Sequence, residues 1–99
     1  MYVIIWKYSV HPEHRESFIA CYHSEGRWAK FFHQATDYFG PDFFQLDTEN
    51  QFLTSDKWTD QKAYNQFLKE NYHAYQELDK HCEHFTTHEG LIGEYFMFE

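Results

Sequence analysis

Five side chains of the types that bind metals fall on one face of a helix predicted near the end of the chain. At about 100° per residue, these side chains lie within roughly 80° of one another: His73, Glu77, His81, His84 and His88. Imidazoles three or four residues apart can share a Zn²⁺ ion, so His81, His84 and His88 form an alternative metal-binding set. A solvated His-rich face explains the same pattern, and no H-E-x-x-H motif is present. We therefore predict no metal and no other cofactor.

Aromatic residues raise a second possibility for chemistry. Residues 28–44 hold seven rings in seventeen positions, and the whole chain is 22% aromatic. A pocket for a flat organic ligand is mostly apolar with a few polar groups, although plain core filling also explains each ring. Twenty-two rings, each burying roughly 150–250 Å², exceed what a core of this size easily encloses. Some of them are therefore expected to line a cavity or to face a partner.

Few polar side chains interrupt the apolar strands, and three of them are candidates for a site. Lys7 stands among apolar neighbours on the first strand; the alternative is an ammonium that reaches solvent past an apolar stem. Asp56 and Glu94 lie on the third and last strands and face either inward or into solvent. No G-x-S-x-G sequence or phosphate-binding glycine pattern is present, so nucleophilic catalysis and nucleotide binding gain no support.

Composition limits the class of protein. Residues 1–99 are short enough for a single domain. The formal net charge of −8 repels phosphate backbones, so we expect no nucleic-acid partner. No apolar run approaches the ~20 residues of a membrane span, and the N-terminus lacks a signal-peptide cleavage site. Cys21 and Cys82 form no C-x-x-C pair, and two buried free thiols suit a cytoplasmic protein.

The periodicity of apolar residues predicts four strands and their connecting helices. Pro12 opens the first helix, Gly26 suits its end, and Trp28, Phe31, Phe32 and Ala35 mark a second, short helix. Thr59 is the expected N-cap of the next helix, which Asn71 interrupts. The remaining ranges are strands at 2–9, 42–47, 51–58 and 91–98 and a longer helix at 72–88.

This order of elements predicts an α+β fold, with a ferredoxin-like β-α-β-β-α-β arrangement and one four-stranded antiparallel sheet covered by helices on one face. The first and last strands are apolar on both faces. An uncovered apolar face of this size exceeds what monomers tolerate, so we expect a homodimer that packs through its sheet faces.

Three segments resemble a known family. "FLTSDKWTDQKAYNQFL", "EGRWAKFFHQATDYFGPDFF" and "YHAYQELDKHCEHFTTHEGLIGEY" are similar to the antibiotic biosynthesis monooxygenase-like proteins of the dimeric α+β barrel superfamily. The resemblance covers essentially the whole chain and implies a homodimeric α+β barrel. It implies a cofactor-independent monooxygenase that acts on a small aromatic, phenolic or polyketide-like substrate. Alternatives are a non-catalytic module that binds a small hydrophobic metabolite, and a haem- or metal-associated protein.

The resemblance also places the site residues. Haem-degrading relatives carry Asn, Trp and His where this chain has Lys7, Phe67 and about Glu77, so haem oxygenation is not expected. In this fold the ligand lies between sheet and helices, and Lys7, His33 and His73 are the expected catalytic groups. The residues expected to bind the substrate are Tyr22, Trp28, Phe31, Phe32, Tyr64 and Phe67.

Overall fold

A computed structural model describes residues 1–98. Its strands are β1 (Tyr2–Val10), β2 (Asp42–Gln45), β3 (Gln51–Trp58) and β4 (Thr86–Phe96). Its α-helices are α1 (Arg15–Tyr22), α2 (Arg27–Phe32), α3 (Gln61–Glu70) and α4 (Tyr72–Cys82). Two 3₁₀ turns, Pro12–His14 and Glu83–Phe85, precede α1 and follow α4. None of the described helices has the length and apolar character needed to cross a membrane.

The four strands form one sheet in the order β2-β3-β1-β4, with every neighbouring pair antiparallel. Ile4 in β1 lies opposite Asp56 in β3 and opposite Glu94 in β4. The predicted ferredoxin-like arrangement is therefore confirmed, with β1 and β3 in the centre of the sheet.

The helices cover the face of the sheet that carries the even-numbered side chains of β1. Tyr2, Ile4 and Tyr8 are buried against them. Because successive side chains of a strand point to opposite faces, Lys7 lies on the other face. The sequence left open which face the helices cover, and packing of the larger rings beneath the helices settles it.

Aromatic rings fill the layer between sheet and helices. Phe18 of α1 is fully buried, stacks on Tyr22 at 4.2 Å and meets Tyr8 edge-on at 5.2 Å between ring centroids. Trp28 and Phe32 of α2 stack at 5.6 Å. Aromatic pairs in these geometries add roughly 0.5–1.5 kcal/mol beyond the burial of area. Cys21 and Cys82 are buried, free thiols within the same core.

Several predicted boundaries require correction. The first helix begins at Arg15, after a 3₁₀ turn, and β2 stops at Gln45. The N-cap of α3 is Asp60 rather than Thr59, because the Asp60 carboxylate accepts a hydrogen bond from the Ala63 N–H at 2.7 Å. Asn71 does separate α3 from α4, and its side-chain amide donates to the Phe67 carbonyl.

The last helix and the last strand differ most from expectation. The helix predicted at 72–88 ends at Cys82, and β4 begins at Thr86 rather than at Leu91. The backbone of Thr86 pairs with Val10, and His88 pairs with Ser9. Extension of the sheet along β1 therefore takes these residues out of the helix, although they lack the apolar alternation of a typical strand.

The sheet face opposite the helices is only partly buried. It carries Phe44, which is 50% exposed, and Tyr95, which is 47% exposed, beside the half-buried Ile5 and Leu53. The Lys57 ammonium pairs with the Asp42 carboxylate at 2.8 Å on this face. An apolar surface of this kind remains available for contact with another molecule.

Candidate functional site

A cavity opens between the helix-facing side of the sheet and helices α2, α3 and α4. It has a volume of about 50 Å³, enough for a few water molecules and below the several hundred Å³ of a typical small-molecule site. The residues that line it are Ile4, Tyr8, Tyr22, Trp28, Phe32, Pro41, Thr54, Asp56, Trp58, Tyr64, Tyr75, Asp79 and Glu89.

Asp56 is the polar group at the floor of this cavity. The register of β3 places it opposite Ile4, on the face that the helices cover. The Tyr38 hydroxyl donates a hydrogen bond to its Oδ1 atom at 2.5 Å. Burial of the carboxyl raises the pKa of Asp56 from 3.8 to about 6, although the Tyr38 hydrogen bond acts in the opposite direction. Asp56 is therefore ionised at neutral pH but close to its titration range.

Two further carboxyl groups line the same cavity as Asp56. Asp79 of α4 follows Tyr75 by one helical turn, and Glu89 of β4 lies opposite Tyr8 in the sheet. Burial raises the pKa of both groups, and Glu89 is raised further by repulsion from Asp79. Glu89 is exposed and Asp79 half-buried, so these two carboxyls mark the side on which the cavity opens to solvent.

Hydroxyl and indole groups complete the polar lining. Burial raises the pKa of Tyr8, Tyr22, Tyr64 and Tyr75, so these phenols are neutral at physiological pH. Trp58 is fully buried, and among the described residues its indole N–H has no hydrogen-bond acceptor. An unpaired buried donor costs about 1–3 kcal/mol, which an acceptor atom on a bound ligand would recover.

Four of the six residues predicted to bind substrate line this cavity: Tyr22, Trp28, Phe32 and Tyr64. The other two, Phe31 and Phe67, pack against each other at 5.2 Å behind that wall and belong to the core. The aromatic signal in the sequence therefore located the cavity, but periodicity alone did not separate its lining from the layer behind it.

The three residues predicted to be catalytic lie away from the cavity. Lys7 is on the opposite face of the sheet, between Leu53 and Gly90 in the strand register. His33 is exposed after α2, and its Nε2 atom lies 2.6 Å from the Gly40 carbonyl oxygen. His73 is exposed on α4 and pairs with Glu77 at 3.1 Å. Their catalytic roles remain predictions that this geometry does not support.

The alternative metal-binding set is not brought together, because α4 ends before His88 and that residue joins β4. His81 and His84 do lie close, with ring centroids 6.4 Å apart, and His14 lies 5.6 Å from His84. Within residues 1–98, no group of three or more His, Cys, Asp or Glu side chains is arranged to hold a metal ion.

Three lining residues, Tyr75, Asp79 and Glu89, are not predicted from the sequence as parts of the site. Tyr75 and Asp79 lie four residues apart on one face of α4, but their spacing alone does not show that this face borders a cavity. Glu89 fell between a helix and a strand in the predicted boundaries, so its orientation was undefined. Asp56 was one of the inward-facing candidates, and the structure places it there.

Comparison with known proteins gives matches of structure rather than of sequence. No family model and no curated protein sequence matches the chain. The solved structure of a variant of SnoaB, a cofactor-independent oxygenase from Streptomyces nogalater, matches with a TM-score of 0.75 and 19% identity, over 99% of this chain and 93% of that chain. An antibiotic biosynthesis monooxygenase matches with a TM-score of 0.75 and 13% identity over the whole of both chains.

The chain has the fold of the antibiotic biosynthesis monooxygenases. PA3566 from Pseudomonas aeruginosa also shares this fold, with a TM-score of 0.65 and 13% identity over 99% of this chain and 94% of that chain. The resemblance predicted from the sequence is thus confirmed for the architecture. At this level of identity a shared fold does not carry over individual site residues, so the chemistry has to be argued from the cavity itself.

Proposed function

We propose that the protein is a cofactor-independent oxygenase that acts on a small aromatic or phenolic substrate bound in the cavity. The observation that carries the proposal is Asp56, a carboxylate with a pKa of about 6 on the floor of an aromatic pocket. The shared fold with SnoaB, a cofactor-independent oxygenase, supports the reaction class.

Asp56 has the properties required of a general base. A catalytic base works best when its pKa lies near the operating pH, and a carboxylate with the ordinary value of 3.8 is a much weaker base than Asp56. The Tyr38 hydroxyl holds the Oδ1 atom, which leaves the other oxygen of the carboxylate to accept a proton. The four neutral tyrosines that line the cavity act as hydrogen-bond donors rather than as bases.

The proposed reaction balances without a cofactor. The Asp56 carboxylate takes a proton from an acidic C–H group that is conjugated to a phenol or enol, which leaves an electron-rich carbanion. The carbanion reduces O₂ and forms a C–O bond. Cleavage of the O–O bond and loss of the second hydrogen convert the CH₂ group to C=O and release one water. The cavity orients the reactants and excludes bulk water.

The size of the cavity sets a condition on substrate binding. An engineered cavity of about 150 Å³ holds one benzene ring, which is three times the volume present here. A substrate ring therefore enters only when the lining moves. Tyr64 and Tyr75 are half-buried and lie on α3 and α4, so they are the side chains that we expect to turn outward.

Oxygen uptake with anthrone-type substrates tests the proposal. Asp56→Asn should abolish uptake while the exposed Asp37→Asn variant retains it, and the wild-type rate should rise with pH through about 6 as Asp56 loses its proton. Lys7→Ala and His73→Ala test the roles predicted from the sequence. Full activity of Asp56→Asn with a competent substrate would exclude this mechanism.

A second candidate function is non-catalytic binding of a small hydrophobic metabolite. The observation that favours it is the absence of Lys7, His33 and His73 from the cavity, which leaves carboxylates as the candidate bases among its described lining residues. Binding of substrate-like phenols without oxygen uptake, unchanged in Asp56→Asn, would support this second candidate against the first.

The homodimer predicted from the sequence is part of the same proposal. A second copy covers the exposed sheet face and buries Phe44 and Tyr95. Phe44→Lys together with Leu53→Lys should convert a dimer into monomers in light-scattering measurements. Tyr72→Lys together with Gln76→Lys introduces the same two charges at exposed positions of helix α4 and should leave the dimer intact. A wild-type monomer at micromolar concentration would refute the dimer.

A further inference from the structure

The cavity contains three acidic side chains and no basic one. Asp56, Asp79 and Glu89 are in its lining, and none of the described lining residues is Lys, Arg or His. The cost of burial opposes the ionisation of Asp79 and of Glu89, and repulsion from Asp79 opposes the ionisation of Glu89 further. An anionic ligand would add to this repulsion, whereas a cation would remove it.

The walls of the cavity are suited to a cation as well. Trp28 and Tyr75 line it and meet edge-on at 5.3 Å between ring centroids, and Tyr64 contributes a third ring. The face of an aromatic ring carries negative potential and attracts ammonium groups within about 6 Å. Carboxylates combined with such rings select a positive group more strongly than either feature alone.

We propose that the ligand enters the cavity through a protonated amine, which Asp79 and Glu89 bind at the opening against the rings of Tyr75 and Trp28. The indole N–H of Trp58 is an independent sign of a ligand, since it is fully buried without an acceptor. It donates to an oxygen atom of the same ligand. The ligand class is therefore an amine that also carries a hydroxyl or carbonyl oxygen.

The volume of the cavity agrees with this assignment. About 50 Å³ accommodates the oxygen-bearing end of the ligand, while the ammonium group stays at the opening and the larger part of the ligand enters only when the tyrosines move. This inference rests on the proposed function because both concern the same cavity, and it adds the class of substrate that the cavity binds. Binding measured without turnover separates the two.

A series of three matched ligands provides the direct test. Benzylammonium, benzyl alcohol and benzoate share a ring and differ in charge. Their binding, without oxygen turnover, can be followed in physiological salt by tryptophan fluorescence, to which Trp28 and Trp58 contribute from the cavity lining. We expect benzylammonium to bind at least about tenfold more tightly than benzyl alcohol, and benzoate to bind most weakly. Equal affinity for all three, or preference for benzoate, would overturn the proposal.

Variants separate the cavity from the general attraction of an acidic protein. Asp79→Asn and Glu89→Gln should each weaken benzylammonium binding about tenfold and leave benzyl alcohol binding unchanged. Glu16→Gln makes the same change of net charge at an exposed position of α1 and should have no effect. An equal loss in Glu16→Gln would assign the preference to net charge and refute the site.

Oxygen uptake and amine binding are measured separately, so each of the two proposals can fail without the other. If the protein binds benzylammonium through Asp79 and Glu89 and yet consumes no oxygen with any amine-bearing phenol, the amine ligand class is supported and the oxygenase proposal is refuted. If neutral phenols support oxygen uptake and benzylammonium does not inhibit that uptake, the oxygenase reaction is supported and the amine-binding cavity is refuted.

Discussion

Replacement of Asp56 by Asn is expected to stabilise the protein at neutral pH. The folded state raises the pKa of this carboxyl from 3.8 to about 6, so the folded protein binds its proton more tightly than the unfolded chain does. Stability from this group is complete below pH 3.8 and is lost as pH rises through about 6. A shift of two pKa units corresponds to about 3 kcal/mol. At pH 8 the ionised Asp56 carboxylate therefore lowers the unfolding free energy by about 3 kcal/mol relative to the protonated form.

Urea denaturation of wild type and Asp56→Asn at pH 5 and pH 8 measures this cost. The amide stays neutral at both pH values. The unfolding free energy of the variant, relative to wild type, should therefore rise by about 1.5 kcal/mol from pH 5 to pH 8, because about half of the 3 kcal/mol is lost by wild type in this pH range. For a protein of this size the gain moves the urea midpoint by about 1 M. Protein concentration must be held constant, because any dimer adds to apparent stability.

Asp37→Asn is the matched control, since it removes an exposed carboxyl that does not line the cavity. It should show no pH-dependent gain of this size. A difference between Asp56→Asn and wild type that stays the same at both pH values would refute a raised pKa in the folded state. Asp56 would then have no raised basicity to act as the proposed catalytic base.

Three further measurements follow from the packing. Tyr38→Phe removes the hydrogen bond that lowers the pKa of Asp56. Carboxyl-carbon NMR should therefore show the pKa of Asp56 above 6 in this variant. An unchanged pKa would contradict the contact between Tyr38 and Asp56. Phe18→Ala should cost about 3–5 kcal/mol in thermal or urea unfolding, because the ring is fully buried. Asp60→Ala should lower the unfolding free energy by about 1 kcal/mol and by more than Thr59→Ala, because Asp60 caps α3; equal losses would refute this assignment.

The fold was predictable because its signals are local and agree with one another. β3 has the predicted bounds, Gly26 is the N-cap residue of α2, and Asn71 separates α3 from α4. The end of α4 was not predictable in the same way, because most of residues 83–90 have polar side chains that suit neither a buried helix nor a buried strand. Pairing with β1 over a long distance in sequence decides their conformation.

Part of the site depended on that same long-range pairing. Glu89 faces the cavity only because β4 starts at Thr86 and brings it opposite Tyr8. Because the predicted strand starts at Leu91, Glu89 lies outside it, and the sequence alone does not show which face of the sheet its side chain is on. The aromatic wall was recognisable in advance because α2 and α3 carry their rings at helical spacing, which local periodicity reveals.

The charge of the cavity depends on which face of the sheet the helices cover. Side chains alternate along a strand, so Lys7 shares a face with Val3 and Ile5, while Asp56 shares one with Trp58. Because β1 is apolar on both faces, the sequence left both arrangements open. Burial of Trp58 and its strand neighbours beneath the helices brings a carboxylate into the cavity and keeps the ammonium outside it. The same packing that builds the core therefore determines that the cavity favours a cation and holds a base.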